Sequence, residues 1–161
     1  LKSGVAVCLP DVRGTGESSP GDARSQRGSA ATAAGELMLG RSVLGGRVRD
    51  LRSVLAHLRT RTDVGARRVA LWGESFAPAN APDADLKVPY TAAKRPPVSE
   101  PLGGLLALLG ALFEDDVRAV VARGGLSDYR SLLDSPFTYL PFDAVVPGVL
   151  TGGDLPDLAA A

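Results

Sequence analysis

The residues best able to do chemistry lie in Val69-Ala70-Leu71-Trp72-Gly73-Glu74-Ser75-Phe76-Ala77. Four apolar residues read as a short buried strand. Gly73 then breaks the run, and Ser75 follows two positions later. A strand that turns sharply at Gly-x-Ser and re-enters a helix lifts the serine hydroxyl onto a strained corner. There a base can take its proton, and the next backbone N–H, that of Phe76, can help hold an oxyanion. Gly73 is needed because a side chain would crowd the turn. Four of the five positions of Gly-x-Ser-x-Gly are met, and Ala77 stands at the last. Gly-x-Ser alone is a weak signal; the apolar strand before it supplies the weight.

Two other groups invite a chemical reading. Asp11-Val12-Arg13-Gly14-Thr15-Gly16-Glu17-Ser18 is glycine-rich and follows an apolar run. A dinucleotide-binding turn would need a third glycine where Ser19 stands and a helix opening at once. Ser18 to Thr32, rich in Ser, Gly, Ala and Arg, reads instead as a surface loop. Asp50, Ser53 and His57 share one face of an expected helix, and His57 is the only histidine. That face points away from the core, so the three read as a solvated stripe.

These groups need elements to position them. Gly4 to Leu9 is a continuous apolar run, as in a strand buried on both faces of a parallel sheet. Leu44, Val48, Leu51, Val54, Leu55 and Leu58 recur at helical spacing, predicting an amphipathic helix over about Glu36 to Arg61. Gly45 and Gly46 weaken its middle or mark close packing there. Residues 77–101 carry Pro78, Pro82, Pro89, Pro96, Pro97 and Pro101, half of all twelve prolines, and exclude a regular helix or central strand. Leaving directly from the serine corner, this stretch is either an ordered surface excursion or a flap that shapes a substrate pocket. Leu102 to Phe113 is apolar all round and predicts a buried helix, with Gly103 and Gly104 allowing close packing on the sheet. Glu114 to Asp116 is a charged turn, Val117 to Ala122 a third strand, and Ser127 to Leu133 a short helix or turn. Phe137 to Val149 reads as a packed loop. Asp154 N-caps a last helix with Pro156 in its first turn. The alternation predicts an α/β fold, a parallel sheet with helices on both faces and sites at the carboxyl ends of its strands.

Composition narrows the function classes. A chain of 161 residues with 45% hydrophobic residues can bury one core, and a net charge of zero offers no basic surface for nucleic acid or membranes. The longest apolar stretch is far short of the ~20 residues that cross a bilayer. Cys8, the single cysteine, excludes an internal disulfide framework or zinc site and is expected in the core. No cofactor is expected. The start at Leu1 and the final helix that runs out at Ala161 suggest one incomplete domain over 1–161, a piece of a longer chain.

Taken together, the strand followed by Asp-x-Arg-Gly-x-Gly-x-Ser at Asp11 to Ser18, a helix, the Gly73-x-Ser75 elbow, a Gly-Gly apolar helix and another strand resemble the α/β-hydrolase superfamily. The order covers nearly the whole chain, as that family's strands four to six. It is most similar to the acetyl xylan esterase, dienelactone hydrolase and prolyl-oligopeptidase-like branch, and Asp154 to Ala160 resembles the helix before that branch's acid-bearing strand. The resemblance implies a serine hydrolase core, in first place a carboxylesterase acting on a small-molecule or carbohydrate ester, with Ser75 as nucleophile and the Phe76 N–H as one oxyanion donor. It implies a structural role for Asp11, Arg13, Gly14 and Gly16. Some members place the acid after the third of these strands, which points to Asp128. The family order is Ser, acid, His, and no histidine follows Ser75, so these residues alone are expected not to turn over. Alternatives are a prolyl-oligopeptidase-like peptidase using the same serine and an inactive hydrolase-fold scaffold or binding module. Compartment and oligomeric state are not legible.

Overall fold

The computed structural model describes residues 4–18, 26–65, 68–75, 77, 80–89, 91–135 and 137–160. Helices α1 (Gln26–Met38) and α2 (Val43–Thr60) precede strand β1 (Val69–Glu74); helix α3 (Leu102–Leu112), strand β2 (Val117–Arg123) and helix α4 (Leu155–Ala160) follow. Between β2 and α4, short 3-10 helices occupy Arg130–Leu133, Phe142–Ala144 and Val149–Thr151. The strands pair in parallel, from Val69 opposite Val117 to Glu74 opposite Arg123, with a register shift after Val69. The fold is therefore mixed α/β around a small parallel sheet, with the β1–α3–β2 crossover that two parallel neighbours require.

Helix α2 forms because Ser42 caps it, its hydroxyl accepting the Gly45 N–H at 3.0 Å, and because Leu44, Val48, Leu51 and Leu55 line one buried stripe. Leu51 and Leu55 meet Leu71 of β1 and Ala107 of α3. A second cluster joins Leu44, Leu102, Leu105, Tyr129, Ala144 and Leu155. Helix α3 belongs to both clusters and ties the sheet to the segment that follows it.

Several expectations need correction. Gly4–Leu9 joins neither strand of the sheet. Val7 is 66% exposed and Leu9 90%, and Cys8 is exposed rather than in the core. An apolar run is buried as a strand only where a sheet edge pairs with it; β1 and β2 each keep one outer edge, and this run is paired with neither. The sheet is covered on one face only: Leu71 faces α2 and α3, while Trp72, on the other face, is 67% exposed. The single helix expected over Glu36 to Arg61 is two. Gly40 adopts φ +71°, and the Arg41 N–H returns to the Glu36 carbonyl at 2.9 Å, a left-handed stop that ends α1 before Ser42 starts α2. Helix α1 also begins inside the stretch read as a surface loop. Gly45 and Gly46 lie in the first turn of α2, not its middle.

Candidate active site

Ser75 is the first residue beyond the carboxyl end of β1. Its N–H donates to the Arg123 carbonyl at 3.0 Å, extending the ladder by one bond. Its side chain is half-buried, and its hydroxyl accepts the Ala77 N–H at 3.3 Å. Three glycines make this corner possible. A Cβ on Gly73 would strike the Gly103 carbonyl and lie 2.8 Å from Gly104 N, so β1 and α3 touch backbone to backbone. A Cβ on Gly103 would lie 2.6 Å from the Glu74 carbonyl oxygen. Gly124, at φ +62°, brings its backbone so close that an added Cβ would meet the Ser75 Cβ at 3.1 Å.

Among the described residues only glycines have positive φ, so Ser75 itself does not. Phe76, the expected oxyanion donor, lies outside the described residues.

Asp128 is engaged locally. Its carboxylate accepts the Ser131 N–H at 2.6 Å and the Ser127 hydroxyl at 2.8 Å, capping the Arg130–Leu133 turn. The Ser131 N–H, then the Ser127 hydroxyl, hold its carboxyl below the usual carboxylate range. His57 is exposed on α2. The stripe beside it is not merely solvated: Asp50 receives Arg13 Nε at 2.7 Å, Arg13 Nη2 at 2.6 Å and the Arg13 N–H at 3.0 Å. Ser53 donates to the Arg49 carbonyl at 3.0 Å. These three residues of α2 do not act on one another.

The Asp11–Ser18 loop is folded on its own side chains. Asp11 accepts the Glu17 N–H at 3.1 Å, and the Thr15 and Ser18 hydroxyls donate to the Val12 carbonyl at 2.7 Å and 2.9 Å. The Arg13 side chain crosses Gly46, where a Cβ would come within 2.9 Å of its guanidinium. Arg47 reaches the loop from beneath, Nε donating to the Arg13 carbonyl at 3.0 Å while Nη1 pairs with Asp143 at 2.6 Å. Arg47 and Asp143 are 5% and 7% exposed, so this is a buried ion pair. Sequence reasoning missed it. The available signal was position: Arg47 falls inside the Leu44, Val48, Leu51 stripe, where a charge needs a partner.

Two further anchors were also missed. Asp154 does cap α4, and it also binds back to the 3-10 helix: its carboxylate accepts the Tyr129 N–H at 2.7 Å, the Leu155 N–H at 2.8 Å and the Arg130 N–H at 3.1 Å. Burial raises its carboxyl, but these donors outweigh that and hold it low. The excursion is fastened at Asn80, whose side-chain amide donates to the Pro97 carbonyl at 3.1 Å. At Ser99 the N–H and hydroxyl reach the Tyr139 carbonyl at 2.7 Å and 3.0 Å. Burial, with the Asp154 charge adding, pushes the Tyr129 phenol up to about 12, so it stays a donor, to the Ala144 carbonyl at 2.9 Å.

A groove of about 350 Å³ lies between Tyr129 and Thr151, and a smaller one of about 290 Å³ between α2 and α3; Ser75 lines neither. Among the described residues no group of three or more His, Cys, Asp or Glu side chains could hold a metal ion, and no helix is long and apolar enough to cross a membrane. No family model, curated protein or solved structure matches this chain.

Proposed function

We propose that this chain carries the nucleophile-bearing section of an α/β-hydrolase fold and that Ser75 is the nucleophile of ester hydrolysis. One observation carries the reading: Ser75 stands half-buried just past the carboxyl end of a parallel strand, where glycines at 73, 103 and 124 keep neighbouring backbone close. The order strand, serine, excursion, helix, parallel strand supports it.

In this reaction Ser75 Oγ attacks the carbonyl carbon of a small ester, such as an acetylated carbohydrate. Its proton passes to a base, the alcohol leaves, and water then releases the acid from the acyl-serine. The described residues put no base within hydrogen-bond reach of Ser75 Oγ, so the hydroxyl stays protonated and slow. A peptidase would use the same serine. The engagement of that hydroxyl by the Ala77 N–H favours a second reading, a fold kept as a binding scaffold.

The test is labelling with a fluorophosphonate, with imidazole added to stand in for the base and the adduct located by mass spectrometry. The hydrolase reading expects an adduct on Ser75 whose rate rises with free imidazole and is lost in Ser75→Ala. No adduct, or adducts scattered over other serines, overturns it and leaves the scaffold.

A further inference from the structure

We infer that the groove between α2 and α3 binds a small amphipathic acid, with its carboxylate on Arg49 and Arg52 and its short apolar chain against the two helices. Ser75 does not line this groove, so the inference is independent of the hydrolase reading.

The charge pattern of α2 singles the groove out. The helix carries arginines at 47, 49, 52 and 59. Arg47 pairs with Asp143, Arg52 with Glu114, and Arg59 with Glu114 and Asp116. Among the described residues Arg49 makes no ion pair and no side-chain hydrogen bond, and its neighbour Asp50 is engaged by Arg13. Arg49 is also exposed, and it lines the groove.

Arg52, three residues further along the same helix face, lines it too. Its guanidinium is held from two sides. Nε donates to Glu114 Oε1 at 2.6 Å, and the guanidinium carbon lies 5.6 Å from the centre of the Phe113 ring. Its two terminal nitrogens make no hydrogen bond among the described residues and remain able to donate. The Ser42 hydroxyl, a third lining group, accepts the Gly45 N–H at 3.0 Å and keeps its own proton to give. Glu114 does not cancel the guanidiniums. Arg52 and Arg59 share it, Arg59 also takes Asp116, and the charge on Arg49 is left over for an incoming anion.

The apolar lining is Leu44, Val48, Leu109, Phe113 and Val146, around about 290 Å³. An inorganic anion would leave these side chains uncovered, and a neutral chain would leave the guanidiniums unanswered. A carboxylate on an apolar chain meets both needs. The volume lies just under the roughly 300–1,000 Å³ of ligand sites, which suits a short chain.

The probes are octanoate, octanol and acetate, titrated into the 15N-labelled chain. Octanoate should bind saturably, with amide shifts centred on residues 42–52, 109–113 and 146. It should bind at least about tenfold tighter than octanol, the difference one charge-assisted hydrogen bond makes. Raising salt from about 20 mM to about 500 mM should weaken octanoate several-fold and leave octanol unchanged. Arg49→Gln, at an exposed side chain with no partner to lose, should bring octanoate down to the affinity of octanol. Arg118→Gln, which removes an exposed arginine from β2, should leave octanoate binding as it was. Equal affinity for octanoate and octanol, salt-independent octanoate binding, full affinity in Arg49→Gln, or shifts centred on other residues would overturn the inference. Acetate binding as tightly as octanoate would overturn it as well, since the apolar lining would then contribute nothing.

Discussion

Adding one methyl group at each of three glycines should have three different outcomes. At Gly73 the methyl would meet backbone only, the Gly103 carbonyl first and then Gly104 N at 2.8 Å. No rotamer change can relieve that clash, so β1 and α3 must part. Overpacking costs ~1–3 kcal/mol where side chains can shift. Here the gap also loosens Leu71, Leu105 and Ala107, so Gly73→Ala should cost about 3 kcal/mol or more. At Gly103 the methyl would lie 2.6 Å from the Glu74 carbonyl oxygen and 2.7 Å from its N, offset by the ~0.5–1 kcal/mol that alanine gains over glycine in a helix. A loss of about 2 kcal/mol is expected. At Gly104 the nearest atoms are Gly125 Cα at 3.4 Å and Ala122 Cβ at 3.5 Å, ordinary contacts, so Gly104→Ala should be neutral or stabilising by up to ~1 kcal/mol. The double variant Gly73→Ala with Gly103→Ala should lose less than the sum, because the first methyl has already separated the backbones. Urea unfolding followed by far-UV circular dichroism measures all four. At ~2–4 °C per kcal/mol, Gly73→Ala should melt roughly 6–12 °C lower. The reasoning is refuted if Gly73→Ala stays within ~0.5 kcal/mol of wild type, or if Gly104→Ala costs as much as Gly103→Ala.

Arg47→Met should destabilise by ~3–5 kcal/mol because it strands the buried Asp143 carboxylate, and adding Asp143→Leu should restore most of the loss; equal stability of single and double variants contradicts this. Asp50→Ala should cost no more than ~1 kcal/mol, since half of the Arg13 side chain is in water, yet free the Asp11–Ser18 loop to faster amide exchange. Arginines on α2 and in the loop before it hold several carboxyls below their ordinary values: Glu114 by Arg52 and Arg59, Asp116 by Arg59, and Asp50 by Arg13. A carboxyl depressed on folding contributes fully above its unfolded value, near pH 4, and loses that contribution as pH falls through its lower folded value. The urea midpoint should therefore be flat from pH 7 to 5 and fall toward pH 3, less steeply in Glu114→Gln; a midpoint constant down to pH 3 contradicts the assignment.

How the elements became legible follows from the reach of each interaction. The apolar run before Gly73, the all-apolar stretch Leu102 to Phe113 and the Val117 to Ala122 run are local patterns, and β1, α3 and β2 end within a residue or two of them. The stop at Gly40 and restart at Ser42 were equally local and equally present, but a hydrophobic spacing that continued through them masked the break. Among the site residues, the glycine pattern placed Ser75 at the end of a strand. It did not show what that hydroxyl would touch, or that Asp128 would be occupied by its own turn.

Periodicity and turn chemistry act over a few residues, so the chain alone specified β1, α3, β2 and the body of α2, though not the start of α1 or the break at Gly40. It could not specify which stretches find partners. Gly4–Leu9 has the apolar run of a buried strand, yet it pairs with neither outer edge of the two-stranded sheet and lies in water. Arg47 and Asp143, 96 positions apart, form a pair no local pattern announces. The contact of Gly73 with Gly103 exists because a 3.6-residue repeat on α3 and a two-residue repeat on β1 bring two bare backbones to the same point. Burial and pairing are properties of surfaces meeting in space, and only the assembled chain sets which surfaces meet.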